Sequence, residues 1–306
     1  MNWYPIALPP QAGRRVLVTG ANAGIGFFTA ARLAGAGAHV VLSGRRPERL
    51  DAAVAAIRDV RSAACVETLV IDQSSLDSVA AGAKRLLAGP TLDGVVANAG
   101  MVHTPKERLE SVDGNELVLA TNVLGHFALL GRLLPHLAPG ARIVSLGSLS
   151  SRLSTFRIDD LQLERGYDSW RAYAQSKTAT QVLGFELDRR LRAGALPVAS
   201  VVAQPGYSIS GRTPFVPGVN EPSRGRRFVG ALQASVAQGK HRGAEVVLHA
   251  LTAPGVEGGQ YWGPRYLTRG EPVLQAPTRA STDREIAARF WTFAEGVTAR
   301  AFTVGG

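Results

Sequence analysis

Between Arg14 and Gly26 a short apolar run meets glycines at positions 20, 24 and 26, and the residues from Phe27 to Leu33 then fall into helical rhythm. A β-run that turns through G-x-x-x-G-x-G into a helix is the start of a βα unit. A parallel strand reaches its neighbour only through a crossover connection, so this opening commits the chain to more of the same. The alternation continues. His39 to Ser43 reads as a strand, followed by a helix from about Pro47 to Val60. Val66 to Ile71 is a strand ending at Asp72, and a helix near Ser75 to Leu87 leads to the run Gly94 to Gly100. A helix near Asn115 to Leu134, the strand Arg142 to Leu146, a helix carrying Tyr173 to Arg192 and the strand Val198 to Val202 complete the pattern. Short apolar β-runs alternating with helices predict an α/β fold, a doubly wound parallel sheet with helices on both faces. No linker, repeat or low-complexity stretch divides residues 1–306, which read as one domain. Only Pro205 to Gly243, rich in Pro, Gly, Ser and Arg, departs from the rhythm. A long irregular segment beyond the carboxyl end of a strand is a binding loop or lid, or else a passive surface loop.

The three glycines have separable uses. Gly20 permits a tight turn, Gly24 lets backbone approach a pyrophosphate, and Gly26 allows close packing of helix on strand, while the helix amino terminus offers unpaired N–H groups to phosphate oxygens. Asn22 and Ile25 lie in the same turn and are expected among the cofactor contacts. A purely structural glycine turn is the competing account. The second strand ends in Gly44-Arg45-Arg46, where a dinucleotide-binding unit selects its ribose, and no carboxylate is present there. An Asp or Glu would accept from a 2′-hydroxyl, whereas an arginine accommodates a 2′-phosphate, so Arg45, with Arg46 beside it, favours NADP(H) over NAD(H). Alternatively both arginines cap a solvated loop before the helix at Pro47.

Tyr173 and Lys177 stand four residues apart on the long helix, so phenol and ammonium project from one face toward a common ligand. A cation beside a phenol favours phenolate and lowers its pKa from about 10, fitting the tyrosine for proton exchange with an alcohol or carbonyl oxygen near neutral pH. Any exposed helix can carry this spacing by accident. Lysine is scarce, however: it occurs only at positions 84, 106, 177 and 240, among many arginines, and Ser148 lies upstream as a further hydroxyl.

Composition sets bounds on the rest. With 306 residues and 45% hydrophobic content the chain can bury a substantial single core. One cysteine, Cys65, precludes an intramolecular disulfide and points to a reducing compartment. The start, Met1 to Pro10, shows neither a basic leader with a long apolar stretch nor a run approaching a membrane span, so a soluble, cytoplasmic protein without membrane contact is expected. The net charge of +10 is dispersed along the chain, with small clusters such as Arg224-Gly225-Arg226-Arg227 and no basic helix interleaved with aromatics, which argues against nucleic acid as a partner. The histidines show no ligand spacing and no cysteine or carboxylate cluster accompanies them, so no metal is expected. Tyr207, Trp262 and Tyr266 are candidates for an aromatic substrate wall, with core packing as the alternative.

Four motifs occur in order: Thr19-Gly20-Ala21-Asn22-Ala23-Gly24-Ile25-Gly26, then Asn98-Ala99-Gly100, then Ser148, then Tyr173 with Ser176-Lys177, and Pro205-Gly206 lies downstream. Together they make the chain resemble the short-chain dehydrogenases/reductases, a Rossmann-type family, over nearly its full length. Thr121-Asn122-Val123-Leu124-Gly125-His126-Phe127 and the twenty-five residues from Ser148 to Tyr173 look like the retinol dehydrogenase and WW-domain oxidoreductase branch. The carboxyl end, Gly259 to Pro264 followed by Ala287 to Trp291, is similar to bacterial members of that branch. Two departures stand out. Gly147-Ser148 replaces the usual pair of serines, and Pro205-Gly206 is followed by Tyr207-Ser208-Ile209-Ser210 rather than by a threonine that contacts the nicotinamide carboxamide. Ser208 is assigned to that contact, with Ser210 as the other choice.

The resemblance implies that Tyr173 donates a proton to a carbonyl oxygen, or removes one from a hydroxyl, while Ser148 hydrogen-bonds the same oxygen. It implies that Lys177 lowers the tyrosine pKa and holds the nicotinamide ribose, and that Asn122 supports a water chain to Lys177; a buried, backbone-bonding amide is the other account of Asn122. Asp72 is left for the adenine amine, and Asn98, Ala99, Gly100, Pro205 and Gly206 line the cofactor. The function implied is an NADP(H)-dependent ketone or aldehyde reductase, or the reverse alcohol dehydrogenase, on a lipophilic or ring-bearing substrate such as a secondary metabolite, in a homodimer or homotetramer. A non-redox epimerase or dehydratase needs a larger carboxyl-terminal domain than the length beyond Val202 allows, and a cofactor sensor without turnover has no use for Ser148, Tyr173 and Lys177.

Overall fold

The computed structural model describes residues 8–299 and 301–302, so Met1–Ala7, most of the segment read for a leader, lies outside the described residues. The strands are β1 (Arg15–Thr19), β2 (His39–Gly44), β3 (Val66–Val70), β4 (Leu92–Ala97), β5 (Leu137–Leu146), β6 (Val198–Ala203), β7 (Ser208–Ile209), β8 (Gln238–Gly239), β9 (Tyr261–Pro264) and β10 (Pro272–Leu274). Eight of them form one sheet in the order β10-β9-β6-β5-β4-β1-β2-β3, parallel except for β10, and β7 pairs with β8 apart from it. The expected doubly wound parallel sheet is present. Its central strands are largely apolar because both faces are covered. Val16 and Val18 of β1, Val40 and Leu42 of β2 and Val144 of β5 enter one core, while the intervening Leu17, Val41 and Ile143 enter the other.

Along the chain the helices are α1 (Gly24–Gly35), α2 (Pro47–Val60), α3 (Leu76–Leu87), α4 (Leu117–Leu119), α5 (Gly125–Leu133), α6 (Ser169–Ala193), α7 (Arg224–Leu232), α8 (Lys240–Thr252), α9 (Arg279–Thr282) and α10 (Arg284–Thr298). The first core lies under α1, α2 and α8, and the second under α3, α5, α6 and α10. Caps fix several starts: Ser75 accepts from the Ser78 N–H, Asp168 from Arg171, and Asp283 from Glu285 and Ile286. The apolar segment Leu117–His136 is long enough to cross a bilayer, but 83% of it is buried inside the fold.

Several boundaries differ from the sequence reading. β4 ends at Ala97, so Asn98 to Gly100 form a turn rather than the end of a strand. β5 begins at Leu137, five residues before the apolar run, with a register irregularity opposite Leu92 and Gly94. The helix expected from Asn115 to Leu134 is α4 and α5 joined by a π turn, Ala120–Leu124. Residues 205–243 are not one irregular loop: they hold β7, a 3-10 turn at Ser210–Arg212, α7, β8 and the first turn of α8.

Candidate active site

The strand order reverses between β1 and β4, and beyond the carboxyl ends of these strands lies the crevice where an open parallel sheet accepts ligands. The glycine turn forms one wall. Gly20 and Gly24 both have positive φ (64° and 61°), and a Cβ on Gly20 would stand 2.8 Å from the Ala99 Cα, so the turn and the Asn98–Gly100 turn are pressed together. A Cβ on Gly26 would collide with the Gly20 carbonyl oxygen at 2.5 Å, which is the close helix packing expected of it. Ala23 caps α1 with no side-chain oxygen, leaving the first N–H groups to an outside acceptor. A pyrophosphate fits a helix start of this kind, with glycine at its first position and no acidic residue in its first turn.

The second wall is the turn after β4, and its organisers were not picked out in the sequence. Thr19 Oγ accepts from the backbone N–H of Asn98 (2.9 Å) and Ala99 (3.0 Å), while the Asn98 amide donates to the Thr19 carbonyl (2.7 Å). His126, fully enclosed, has its pKa pushed down to about 4 by burial and is neutral. Its Nδ1 faces the Asn122 carbonyl (3.1 Å), which can only accept, so the ring proton sits there and Nε2 receives the Thr19 hydroxyl (2.9 Å). Asn122 lies within the π turn. Asn122 itself accepts from the Met101 N–H (2.6 Å) and donates to Ser176 Oγ (2.8 Å), tying the β4 turn to α6. Its side chain is buried and bonds to the backbone at Met101.

Ser148 ends the β5 arm and caps a 3-10 turn, Leu149–Arg152, by accepting from Ser150 N–H at 3.2 Å. Tyr173, in the first turns of α6, donates to Ser148 Oγ at 3.4 Å. Lys177, buried, donates to the Leu146 carbonyl at 2.9 Å with Nζ 6.0 Å from the centre of the Tyr173 ring. Burial pushes the Tyr173 pKa up, and the opposing pull comes from the Ser148 hydrogen bond rather than from Lys177. The ammonium is engaged by a carbonyl instead, and its own pKa is pushed down to about 8 by burial. Gly147 has a steric reason for replacing a serine, because a Cβ there would stand 3.0 Å from Gln181 Cγ. Gln181 in turn donates to the Ser148 carbonyl (3.2 Å) and to Ser151 Oγ (2.7 Å), fixing the loop that presents Ser148.

The remaining residues divide. Arg45 and Arg46 are exposed just past β2, and Asn22 lies against Gly44, whose Cβ would stand 3.0 Å from Asn22 Oδ1. Ile25 is half-buried in the first turn of α1. Asp72 Oδ1 accepts from Ser74 N–H (2.9 Å) and hydroxyl (2.7 Å), leaving its other oxygen free of protein partners among the described residues. Gly100 lies beside both Asn122 and Lys177, within 3.1 Å of Oδ1 and 3.6 Å of Nζ as measured from an ideal Cβ. Gly206, at φ 68°, is pinned under the Thr268 carbonyl, and Tyr207 N–H donates to that carbonyl at 2.7 Å. Ser208 spends its proton on the Pro205 carbonyl (2.9 Å), which leaves its oxygen able to accept only. Of the three aromatics, Tyr207 and Tyr266 are exposed on the adjoining turns, but Trp262 packs against His249 (ring centres 4.3 Å apart, planes tilted by 54°) and donates to Gln260, so it belongs to the packing under the sheet. Trp170, half-exposed with its ring 6.3 Å from that of Tyr173, takes a place that spacing alone did not suggest.

Residues 14–213 match the family described as short chain dehydrogenase. The chain is 37% identical to polyprenol dehydrogenase of Mus musculus, covering 97% of this chain and 86% of the relative. It is 30% identical to retinol dehydrogenase 14 of the same organism, covering 92% and 85%. An uncharacterized protein from Mycobacterium Paratuberculosis of known crystal structure superposes with a TM-score of 0.79 at 31% identity, covering 97% of each chain.

Proposed function

The chain belongs to the short-chain dehydrogenase family, in its retinol dehydrogenase-like branch, and as an oxidoreductase that uses a nicotinamide cofactor on a small molecule we propose that it interconverts a lipophilic ketone or aldehyde and its alcohol with NADP(H). The observation that carries the reading is the convergence of Tyr173 and Ser148 hydroxyls, 3.4 Å apart, beside buried Lys177 and across the crevice from the uncapped α1 turn. When bound, the cofactor supplies or accepts the hydride. Tyr173 delivers a proton to the substrate oxygen in reduction and takes one back in oxidation. Its raised pKa keeps it protonated at neutral pH in the free protein, ready as an acid. Ser148 hydrogen-bonds the oxygen on which charge develops, a donor typically worth about 3 kcal/mol of barrier. Lys177 holds the ribose of the nicotinamide end, and Asn122 positions Gly100 and α6 around it.

Arg45 and Arg46, exposed just past β2 in a Gly44-Arg45-Arg46 turn that holds no carboxylate of its own, support a 2′-phosphate and hence NADP(H) over NAD(H). Val102, Leu153 and Trp170, each more than half exposed and close in sequence to Gly100, Ser148 and Tyr173, support a lipophilic substrate, as do relatives named for polyprenol and retinol. A single exposed free thiol, Cys65, supports a reducing, cytoplasmic location; a homodimer or homotetramer remains part of the proposal. The test is a panel of ketones, aldehydes and alcohols with NADPH or NADP+ and, in parallel, NADH or NAD+, followed by the reduced-nicotinamide absorbance. Arg45→Ala is expected to weaken NADPH binding about tenfold or more and to leave NADH nearly unchanged, since only the phosphate contact is lost. Gly44→Asp is a poor substitute, because its Cβ would press on Asn22 and Leu50. Equal affinity of the unaltered protein for both cofactors sinks the NADP(H) preference, and no absorbance change with any substrate sinks the reaction.

A further inference from the structure

Lys240 is one of four lysines in a chain with thirty-four Lys and Arg residues, and it stands at the first position of α8, where the wandering segment after β6 returns to the sheet. Its backbone N–H donates to the buried Thr213 hydroxyl (2.8 Å), and its side chain runs across the glycine turn. An ideal Cβ on Gly24 would stand 3.5 Å from Lys240 Cδ and 3.7 Å from Nζ. The direction is fixed by packing: α8 lies along α1, with the His241 ring 5.9 Å from that of Phe28, so the first residue of α8 falls beside the first residue of α1. Nζ has no hydrogen-bond or ion-pair partner among the described residues. Its surroundings are hostile to a lone cation, since burial and the Arg226 guanidinium both lower its pKa and the α1 terminus presents its positive end without an acidic residue in the first turn. Three positive elements lie close together here, and among the described residues no carboxylate forms an ion pair with Lys240 or Arg226.

We propose that Lys240 is a binding residue for the pyrophosphate of the dinucleotide, closing over it from the side opposite the α1 N–H groups. The inference rests on the cofactor reading above. Gly24 brings backbone donors to one face of the diphosphate, and Lys240 supplies a charge-assisted hydrogen bond to the other. Because Lys240 follows directly on β7, α7 and β8, the bound diphosphate also fastens the end of that segment to the glycine turn. The dinucleotide is then gripped at the diphosphate by one end of the segment and at the nicotinamide by the other, Pro205–Ser208.

The experiment is equilibrium binding to the cofactor-free protein, read from NADPH fluorescence and, for adenosine 2′-monophosphate, by competition or calorimetry. The nucleotide fragment keeps the adenosine and the 2′-phosphate but has no pyrophosphate. Lys240→Met keeps the aliphatic stem over Gly24; it should weaken NADPH by about ten- to a hundredfold, the range of one hydrogen bond to a charged group, and flatten the salt dependence of its Kd. The same variant should bind the fragment within about twofold of the unaltered protein, and Lys240→Arg should retain most of the NADPH affinity. Arg45→Ala is the internal contrast, expected to weaken both ligands. NADPH affinity unchanged in Lys240→Met overturns the proposal, as does an equal loss for dinucleotide and fragment, which would put the lysine on the 2′-phosphate or in the fold. A protein that prefers NADH sinks the NADP(H) reading alone, and Lys240 is then judged on NADH against adenosine. Failure of the unaltered protein to bind either dinucleotide overturns the site reading and the inference together.

Discussion

Tyr173 and Lys177 are held in a medium that disfavours charge, and this decides what each does before a ligand arrives. The helical spacing placed them on one face, as the sequence implied, but the sequence could not show that Lys177 Nζ donates to the Leu146 carbonyl or that burial pushes the phenol's pKa up. Tyr173→Phe removes the proton and keeps the ring. Turnover should fall about 100-fold to 10,000-fold with cofactor affinity nearly unchanged, and a rate within a few-fold of the unaltered protein would exclude Tyr173 as the acid. Lys177 gives a second prediction, in stability. Its pKa is about 8 in the fold against 10.5 in the unfolded chain, so between these values the unfolded state binds more protons and stability rises with pH. Below about pH 8 the cost of the buried cation is fully present; across the window on the order of 3 kcal/mol is recovered. The unfolding free energy of the unaltered protein should therefore climb relative to Lys177→Met between pH 7 and pH 10 in urea titrations, whereas a constant difference would mean that the ammonium is solvated. Ser148 was legible from its place after an apolar strand. Thr19, His126 and Gln181 were not, because a threonine ending a strand or a polar residue inside a helix carries no local signal that it organises another turn.

At the level of elements, apolar β-runs and their intervening helices were readable from period and punctuation alone, since a doubly covered parallel strand has nothing to contribute but apolar residues. The π turn at Ala120–Leu124 was hidden, because it depends on Asn122 bonding to Met101 and Ser176, partners far along the chain. β9 and β10 were hidden too: at four and three residues, with Gly and Pro among them, they exist through pairing with β6 and with each other. The segment from Pro205 to Gly239 lies between these extremes. Its one helix of any length, α7, buries only Gly230, and that glycine rests against Gly211 of the 3-10 turn, where a Cβ would stand 3.1 Å from Gly211 Cα. Phe228, Val229 and Leu232 face outward. An element with so little buried surface opens at low free-energy cost. Limited proteolysis should cut within residues 224–236 first, NADP(H) with substrate should protect it, and exchange for a relative's segment should change substrate preference with cofactor binding retained. If cleavage ignores ligands and the chimera keeps its preference, the segment is a passive surface element and specificity belongs to the strand ends near Ser148.

The whole molecule is a sheet whose two faces are sealed by different means. One is closed by α1 and α2, which directly follow β1 and β2, and by α8, which returns from the segment after β6; the other is closed by α3, α5 and α6 and then by α10, from the far end of the chain. Trp291 of α10 is 1% exposed, its ring centre 5.0 Å from those of Phe127 in α5 and of Phe302, with the Arg190 guanidinium of α6 4.1 Å above it. The indole N–H is also satisfied, by Glu295 at 3.2 Å. This residue therefore joins the carboxyl-terminal helix to both crossover helices of the active-site half, and no other side chain can fill the space it occupies without moving them. Trp291→Ala should cost about 3–5 kcal/mol in the free energy of unfolding, the loss typical of a large aromatic truncated in a packed core. The chemistry should survive. Arg190 lies about 20 Å along α6 from Lys177 at 1.5 Å per residue, and the hydrogen bonds that hold Ser148 and the β4 turn come from Gln181, Thr19 and Asn122. The measurement is therefore double: chemical denaturation for stability, and kcat per folded molecule at a temperature where the variant is fully folded. A large loss of stability with an unchanged kcat makes α10 a clamp on the fold. A loss below about 1 kcal/mol would make it an appendage resting on a face that α5 and α6 already close, and a collapse of kcat in the folded variant would show that the position of α6, and with it Tyr173 and Lys177, is set from this distant end.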